Sequence, residues 1–201
     1  LRNGAGGRWL DALERTMAET AIAVAASRRE GLMRLIAAMH DAGASAFPMA
    51  DISVEGTVES MLETMAAVDA EDRFAHTLAN QRVIDAEMGR TASGPHLTDL
   101  VVSHREKRRE ARACSTGEQK ALLIRLVLAG AAAPAAGAPD ALVLLLDEIA
   151  AHLDEARRQA LFDEIDALGV QAWMTGTDRS AFSALEGRAQ FLRVGDGTVR
   201  A

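Results

Sequence analysis

The stretch LVLLLDEIAAHLD, residues 142–154, decides the fold, because an apolar run ends abruptly in two adjacent carboxylates. A run that is apolar on both faces is typical of a central strand in a parallel sheet, and ligands of open α/β sheets gather beyond the carboxyl ends of such strands. We therefore expect Asp147 to hold Mg²⁺, directly or through water, and Glu148 to orient and deprotonate an attacking water. The alternative is a strand that ends in an ordinary polar turn, with Asp154 as the N-cap of the next helix.

A second stretch, CSTGEQKALL at residues 114–123, places a Ser-x-x-Glu pair just before an apolar helix. Ser115 and Glu118 form a capping-box pattern, in which each side chain bonds the backbone amide of the other residue. One interpretation is an ordinary helix start. The other is a phosphate contact, because a helix N-terminus carries unpaired amides and Gly117 has no Cβ to hold a ligand away.

Hydrophobic periodicity divides the rest of the chain into a helical part and an α/β part. Two long amphipathic stretches, residues 9–39 and about 57–89, predict an antiparallel helical arm, with a break in the acidic patch at residues 69–72. The other predicted elements are strands at ADISV and DLVVSH, a helix at 115–129, a low-complexity loop at 129–140, a βαβ unit formed by 141–146, 155–168 and VQAWMT, and a closing hairpin around residues 195–197. We expect an α/β fold with an arm over residues 1–92 and a lobe over residues 93–201.

The composition narrows the classes of protein that fit. The 201 residues carry a formal net charge of −7, which excludes a general polycation but not a local basic face. The single cysteine, Cys114, excludes an internal disulfide and favours a reducing, cytoplasmic setting. The apolar runs are shorter than the ~20 residues of a membrane helix, so no membrane association is expected.

The basic run HREKRREAR, residues 104–112, is the candidate DNA contact. Binding to DNA phosphates is mainly electrostatic, and the run carries Arg105, Lys107, Arg108 and Arg109. Aromatic residues make up only 3% of the chain, which favours duplex backbone binding over stacking on single-stranded bases. The alternative is a solvated face without a partner.

CSTGEQKALLIRLVLA followed by LLLDEIAAHLD resembles the signature, Walker B and D-loop sequences of ABC-type ATPases, in that order. Within that superfamily the chain is most similar to the RecF family of bacterial SMC-like DNA-repair ATPases, and RVIDAEMGRT, GPHLTDL and WMTGTD extend the similarity. The resemblance implies the C-terminal lobe of an ABC/SMC-like P-loop ATPase, preceded by a long antiparallel helical arm.

The resemblance also implies roles for particular residues. Signature residues of this family act in trans, on the γ-phosphate of ATP bound to the other protomer of a homodimer. The family departs from most ABC ATPases at the switch histidine, where this chain has Thr177, and the chain departs from the family at Leu97, where RecF usually has arginine. The implied assignments are Ser115, Thr116, Gly117 and Glu118 for the signature, Asp147 for Mg²⁺, Glu148 for catalysis, and Asp154 for the D-loop.

The implied function is ATP-dependent DNA binding in recombinational repair, replication-gap processing and the SOS response, at duplexes and gap junctions in the cytoplasmic nucleoid. The family's partners are RecO, RecR and RecA, whose loading it assists. Two alternatives remain open: another SMC-like or Rad50-like ATPase, and a truncated, non-catalytic interaction module.

The sequence contains no Gly-x-x-x-x-Gly-Lys-Ser/Thr motif, because neither of its two lysines, Lys107 and Lys120, precedes Ser or Thr. We therefore expect the P-loop half to precede residue 1. These 201 residues alone are expected to bind ATP weakly and to hydrolyse none.

Overall fold

The structure is a computed structural model that describes residues 6–133, 142–150, 153–195 and 197–200. The chain forms two compact units, one made of Leu1–Ala37 with Ala50–Ala113 and the other of Ala38–Met49 with Cys114–Ala201. The predicted boundary at residue 92 stays a prediction. Residues 93–113 belong to the first compact unit, together with its helices.

In the first unit the two predicted amphipathic stretches form helices. The elements are α1 (Gly7–Asp41, which continues into the second unit), β1 (Ala50–Glu55), α2 (Thr57–Thr64), α3 (Ala67–Met88), β2 (Asp99–His104) and β3 (Arg109–Glu110). The break expected at residues 69–72 lies earlier, because Met65 takes an extended conformation after α2. Asp69 instead lies in the first turn of α3, where the helix dipole favours a carboxylate.

α1 packs antiparallel to α2 and α3, since its N-terminal turns contact the C-terminal part of α3 and its later turns contact α2. α1 contributes mainly small side chains to the buried cluster, which consists of Ala18, Ala21, Ile22, Ala25, Val58, Ala70, Phe74 and Leu78. Arg82 donates two hydrogen bonds to Glu14, at 2.6 and 2.5 Å, and one to Asp11. These hydrogen bonds raise the pKa of Arg82.

The predicted strands at ADISV and DLVVSH pair in register from Ala50↔His104 to Glu55↔Asp99, antiparallel. β3 adds a third strand, which the sequence analysis missed, so the basic run bends back as a hairpin.

The second unit contains the predicted βαβ unit. Its elements are α4 (Thr116–Ala132), β4 (Val143–Leu146), α5 (Glu155–Leu168), β5 (Gln171–Met174), β6 (Arg193–Gly195) and β7 (Thr198–Arg200). β4 and β5 are parallel, from Val143↔Gln171 to Leu146↔Met174. β6 and β7 form the predicted hairpin. The predicted loop at 129–140 begins later than expected, since α4 extends to Ala132, and the rest of it lies largely outside the described residues.

One face of the β4–β5 sheet covers the core, where α5 contributes Phe162, stacked on Phe182 with ring centroids 5.9 Å apart. The other face differs from the expected central strand, because Leu145 is 74% and Trp173 52% exposed. The core under this face therefore holds β4 and β5 in place, and both strands end at the same edge of the sheet, at Leu146 and Met174.

Buried Arg125 of α4 donates hydrogen bonds to the carbonyls of Met39, at 2.5 Å, and Gly43, at 3.2 Å. Carbonyls at a helix C-terminus lack intrahelical partners and attract cations. Arg125 therefore attaches the C-terminal turn of α1 to the helix that begins at Ser115.

Candidate functional site

The start of α4 has the predicted capping box. The amide of Glu118 donates to Ser115 Oγ at 3.4 Å, and the amide of Ser115 donates to Glu118 Oε2 at 2.8 Å. Ser115, Thr116 and Gly117 are exposed, and a Cβ added at Gly117 would meet no atom within 4 Å. Packing within the chain therefore does not require glycine there, and the helix start is open to a ligand.

The carboxylate pair lies where the sequence predicts it, directly beyond the carboxyl end of β4. Asp147 and Glu148 are both exposed. The hydroxyl of Thr175 donates to Asp147 Oδ1, and the same Oγ1 accepts the backbone amide of Glu148 at 3.0 Å. Parallel pairing of β4 with β5 brings Thr175 to this edge, because its own amide donates to the carbonyl of Leu146 at 3.0 Å.

Glu148 has φ of +46°, a left-handed conformation that is uncommon for a residue with a side chain. Its carbonyl accepts a hydrogen bond from Lys120 Nζ at 3.2 Å, so the second turn of α4 contacts the turn that carries the carboxylates. The backbone of Glu148 is thus held at its amide by Thr175, which directly follows β5, and at its carbonyl by Lys120 of α4.

Asp154 begins α5 as the N-cap that one interpretation of the sequence predicted. Its Oδ1 accepts the amide of Arg157 at 2.8 Å. The preceding carbonyl, of Leu153, accepts from Arg158 at 2.7 Å. These bonds fix the chain from Leu153 into α5, whereas Ala151 and His152 lie outside the described residues.

Beyond β5, Gly176 passes so close to the ring of Phe182 that an added Cβ would lie 2.6 Å from it. Asp178 then caps a 3₁₀ helix at Arg179–Leu185, and hydrogen bonds from the hydroxyl and amide of Ser180 lower the pKa of its carboxyl. This close contact and cap fix the course of the loop that carries Thr177.

The described residues contain no cluster of three or more His, Cys, Asp or Glu side chains that could hold a metal. The carboxylate pair nonetheless fits Mg²⁺, which is commonly bound through one or two carboxylates while phosphates and water supply the other ligands. Oxygen donors at Asp147 and Glu148 are of the kind that a hard cation requires.

The basic run forms the turn between β2 and β3, where the amide of Arg108 donates to the carbonyl of Arg105 at 3.3 Å. Arg108 has φ of +48° and is exposed. Arg105 Nε bonds Asp51 at 2.7 Å, so part of its charge is compensated. Lys107 and Arg109 flank Arg108 and are also exposed, as is Glu106 in the same turn.

No protein-family model matches the chain. Curated proteins do match it. The chain is 52% identical over 194 residues to "DNA replication and repair protein RecF" of Mesorhizobium japonicum, and 54% identical over 194 residues to the protein of that name from Brucella abortus. Each match covers 96% of this chain. The resemblance to RecF is confirmed. The chain spans about half the length of these relatives, 51% and 50% respectively.

Two solved RecF structures show the same fold. One is "the recombination mediator protein RecF-ATPrS in RecFOR pathway", with a TM-score of 0.73 and 20% identity. The other is the corresponding RecF-ATP structure, with a TM-score of 0.70 and 19% identity. Each covers 98% of this chain and 51% of the other chain. The predicted α/β fold is thereby confirmed as one that this chain shares with the two RecF structures.

Among the site residues that the resemblance to RecF implies, Asp147 and Glu148 are connected to each other by the hydroxyl of Thr175. Ser115–Glu118 lie at the start of α4 and Asp154 lies at the start of α5. The roles of all these residues, including Asp147, Glu148 and Thr177, stay predictions. Thr175 is the residue that sequence reasoning missed. Its signal was its position, as the first polar residue after the strand that pairs with β4.

No helix among the described residues combines the length and apolar character that crossing a membrane requires.

Proposed function

We propose that this chain is the signature-bearing half of an ATP-dependent DNA clamp that acts in recombinational repair and replication-gap processing. Two protomers associate head to tail with ATP between them, and hydrolysis releases the clamp from DNA. The observation that supports this most strongly is the exposed pair Asp147 and Glu148, held by one hydroxyl at the carboxyl edge of two parallel strands. Relationship to RecF favours this function over that of a Rad50-like ATPase.

Asp147 is proposed to hold Mg²⁺. Its Oδ1 accepts the Thr175 hydroxyl, which fixes the carboxylate while the exposed side chain stays open to a cation. When bound, Mg²⁺ neutralises charge on phosphate oxygens.

Glu148 is proposed as the catalytic carboxylate, which orients a water molecule and accepts its proton. Its backbone conformation is fixed on both sides, by Thr175 and Lys120, so the direction in which the side chain leaves the turn is set before any substrate arrives. Such preorganisation reduces the cost of reaching the reactive geometry.

The start of α4 is proposed to contact the γ-phosphate of ATP on the partner protomer. Exposed amides and a hydroxyl at a helix N-terminus suit an anion. Gly117 supports this assignment, because the fold leaves open space where a Cβ would lie and glycine therefore allows close approach from outside.

DNA is proposed to contact the β2–β3 hairpin through Arg105, Lys107, Arg108 and Arg109. The tip is exposed, and its charge suits phosphate binding without base recognition. RecO, RecR and RecA are proposed partners, in the cytoplasm at the nucleoid. RecO and RecR are supported by the description of a solved relative, which mentions the RecFOR pathway. RecA is proposed from the family resemblance alone.

The test is Glu148→Gln in the full-length protein, meaning this chain with the P-loop segment that the sequence predicts before it. The variant keeps the size and polarity of the side chain but removes the base. ATP-bound dimers on duplex DNA are therefore expected to persist at least ~100-fold longer than wild type, in line with the usual contribution of a general base.

Dissociation of labelled DNA after dilution measures this lifetime, and phosphate release measures hydrolysis. Glu186→Gln is the matched control, because Glu186 is an exposed glutamate at the C-terminal end of the 3₁₀ helix and lies outside the carboxylate pair. Unchanged lifetime and unchanged hydrolysis in Glu148→Gln would contradict the assignment.

A further inference from the structure

Thr175 uses both capacities of its hydroxyl at the strand edge. A hydroxyl has one proton to donate and lone pairs that accept. The proton goes to Asp147, and a lone pair accepts the amide of Glu148 at 3.0 Å. One atom therefore connects the proposed cation-binding carboxylate to the backbone of the proposed base.

That connection lies at a strained point of the backbone. The left-handed conformation of Glu148 crowds the Cβ of an ordinary residue and persists only where surrounding contacts support it. Thr175 bonds its amide, and Lys120 Nζ bonds its carbonyl at 3.2 Å. Loss of the hydroxyl removes one of these two supports.

We propose that Thr175 is a positioning residue for ATP hydrolysis, which holds Glu148 in its left-handed conformation and keeps Asp147 oriented beside it. This inference rests on the proposed function of Glu148. Thr175 acts through these two residues and not by contact with substrate. Its loss is therefore expected to lower kcat while the KM for ATP changes little, and a displacement of about 1 Å can cost about 100-fold in rate.

The backbone of Thr175 is itself fixed, because its amide continues the β4–β5 pairing by donating to Leu146 at 3.0 Å. The branched side chain restricts rotation about χ1, so the hydroxyl is held towards its two partners. Valine has the same branched shape without the hydroxyl, and serine keeps the hydroxyl without the methyl. These two substitutions separate hydrogen bonding from packing.

The experiment compares Thr175→Val and Thr175→Ser in the full-length protein with Thr198→Val. Thr198 is an exposed threonine of β7 whose hydroxyl donates to the carbonyl of Gly195, so the control removes a threonine hydroxyl that bonds neither Asp147 nor Glu148. The first measurement is hydrogen exchange of the Glu148 amide, which does not depend on ATP hydrolysis. The second is kcat and KM for ATP.

We expect Thr175→Val to speed exchange of the Glu148 amide at least ~10-fold and to lower kcat by ~10- to 100-fold, with KM within about threefold. Thr175→Ser should restore most of both quantities, and Thr198→Val should change neither.

Equal exchange of the Glu148 amide in wild type and Thr175→Val would overturn the inference, whatever the ATPase result. Altered exchange with unchanged kcat would overturn the positioning role in catalysis. If Thr175→Val alters exchange but the wild-type protein itself hydrolyses no ATP, the proposed function would be refuted, while the hydrogen-bonded support of Glu148 by Thr175 would stand.

Discussion

Ser115 is predicted to have two roles that substitution can separate, since it caps α4 and is proposed to contact a phosphate of the partner. Replacing an N-cap serine by alanine costs about 0.5–2 kcal/mol. The bond from the Glu118 amide is long, 3.4 Å, which places the expected cost near the lower end. The reciprocal bond at 2.8 Å uses the backbone amide of residue 115 and survives the substitution.

A loss of about 0.5–1 kcal/mol corresponds to a Tm lower by roughly 1–4 °C for a chain of this size. Ser115→Asp keeps a good N-cap, and its negative charge suits the helix N-terminus, so Tm should stay at or slightly above the wild-type value. The same charge repels phosphate. Ser115→Asp should therefore lose ATP-dependent dimerisation, whereas Ser115→Ala should weaken it by about 10- to 100-fold, as expected for a hydrogen bond to a charged group.

Differential scanning fluorimetry gives Tm, and sedimentation velocity with and without ATP gives dimerisation of the full-length variants. Normal ATP-dependent dimers formed by Ser115→Asp would refute the phosphate contact. An unchanged Tm in Ser115→Ala would refute the energetic role of the cap.

Two further predictions concern charge. Arg108→Gln should weaken duplex DNA binding and reduce the slope of log K against log salt by about 0.9, the value for one phosphate contact. Arg73→Gln, at an exposed position of α3, should leave both unchanged. Equal effects of the two substitutions would contradict a contact at the hairpin. The pKa of Asp163 is lowered, chiefly by hydrogen bonds from Gln159. The ionised carboxylate of Asp163 therefore stabilises the folded state at pH values above about 3.9, the pKa of aspartate in the unfolded chain. This stabilisation is lost as the pH falls through the lower pKa that Asp163 has in the folded state. Gln159→Met should lower Tm at pH 7, and the difference from wild type should shrink towards pH 3; a pH-independent difference in thermal melts would count against this.

Much of the fold was predictable because its signals are local. The βαβ unit follows from an apolar run, an amphipathic helix and a second short run, and the capping box needs only Ser115 and Glu118 three residues apart. Asp147 and Glu148 follow from the same logic, since a strand ends where its apolar residues end.

The parts that sequence reasoning missed depend on pairing between distant residues. WMTGTD contains two threonines, and only the register Leu146↔Met174 shows that Thr175 lies beside Asp147. The β2–β3 hairpin escaped prediction because its left-handed position is Arg108, where Gly or Asn would have indicated a turn.

The central claim is that residues of the signature complete the ATP site of a partner protomer. The most direct measurement mixes full-length Ser115→Asp with full-length Glu148→Gln and follows ATP hydrolysis in the presence of DNA. Each variant alone should be inactive. A mixed dimer contains one composite site that joins Glu148 of one protomer to Ser115 of the other, so the mixture should regain activity. The recovered rate should be at most about a quarter of wild type, which is the share of intact sites that random pairing in a two-fold dimer would give. A mixture as inactive as its components would contradict the claim.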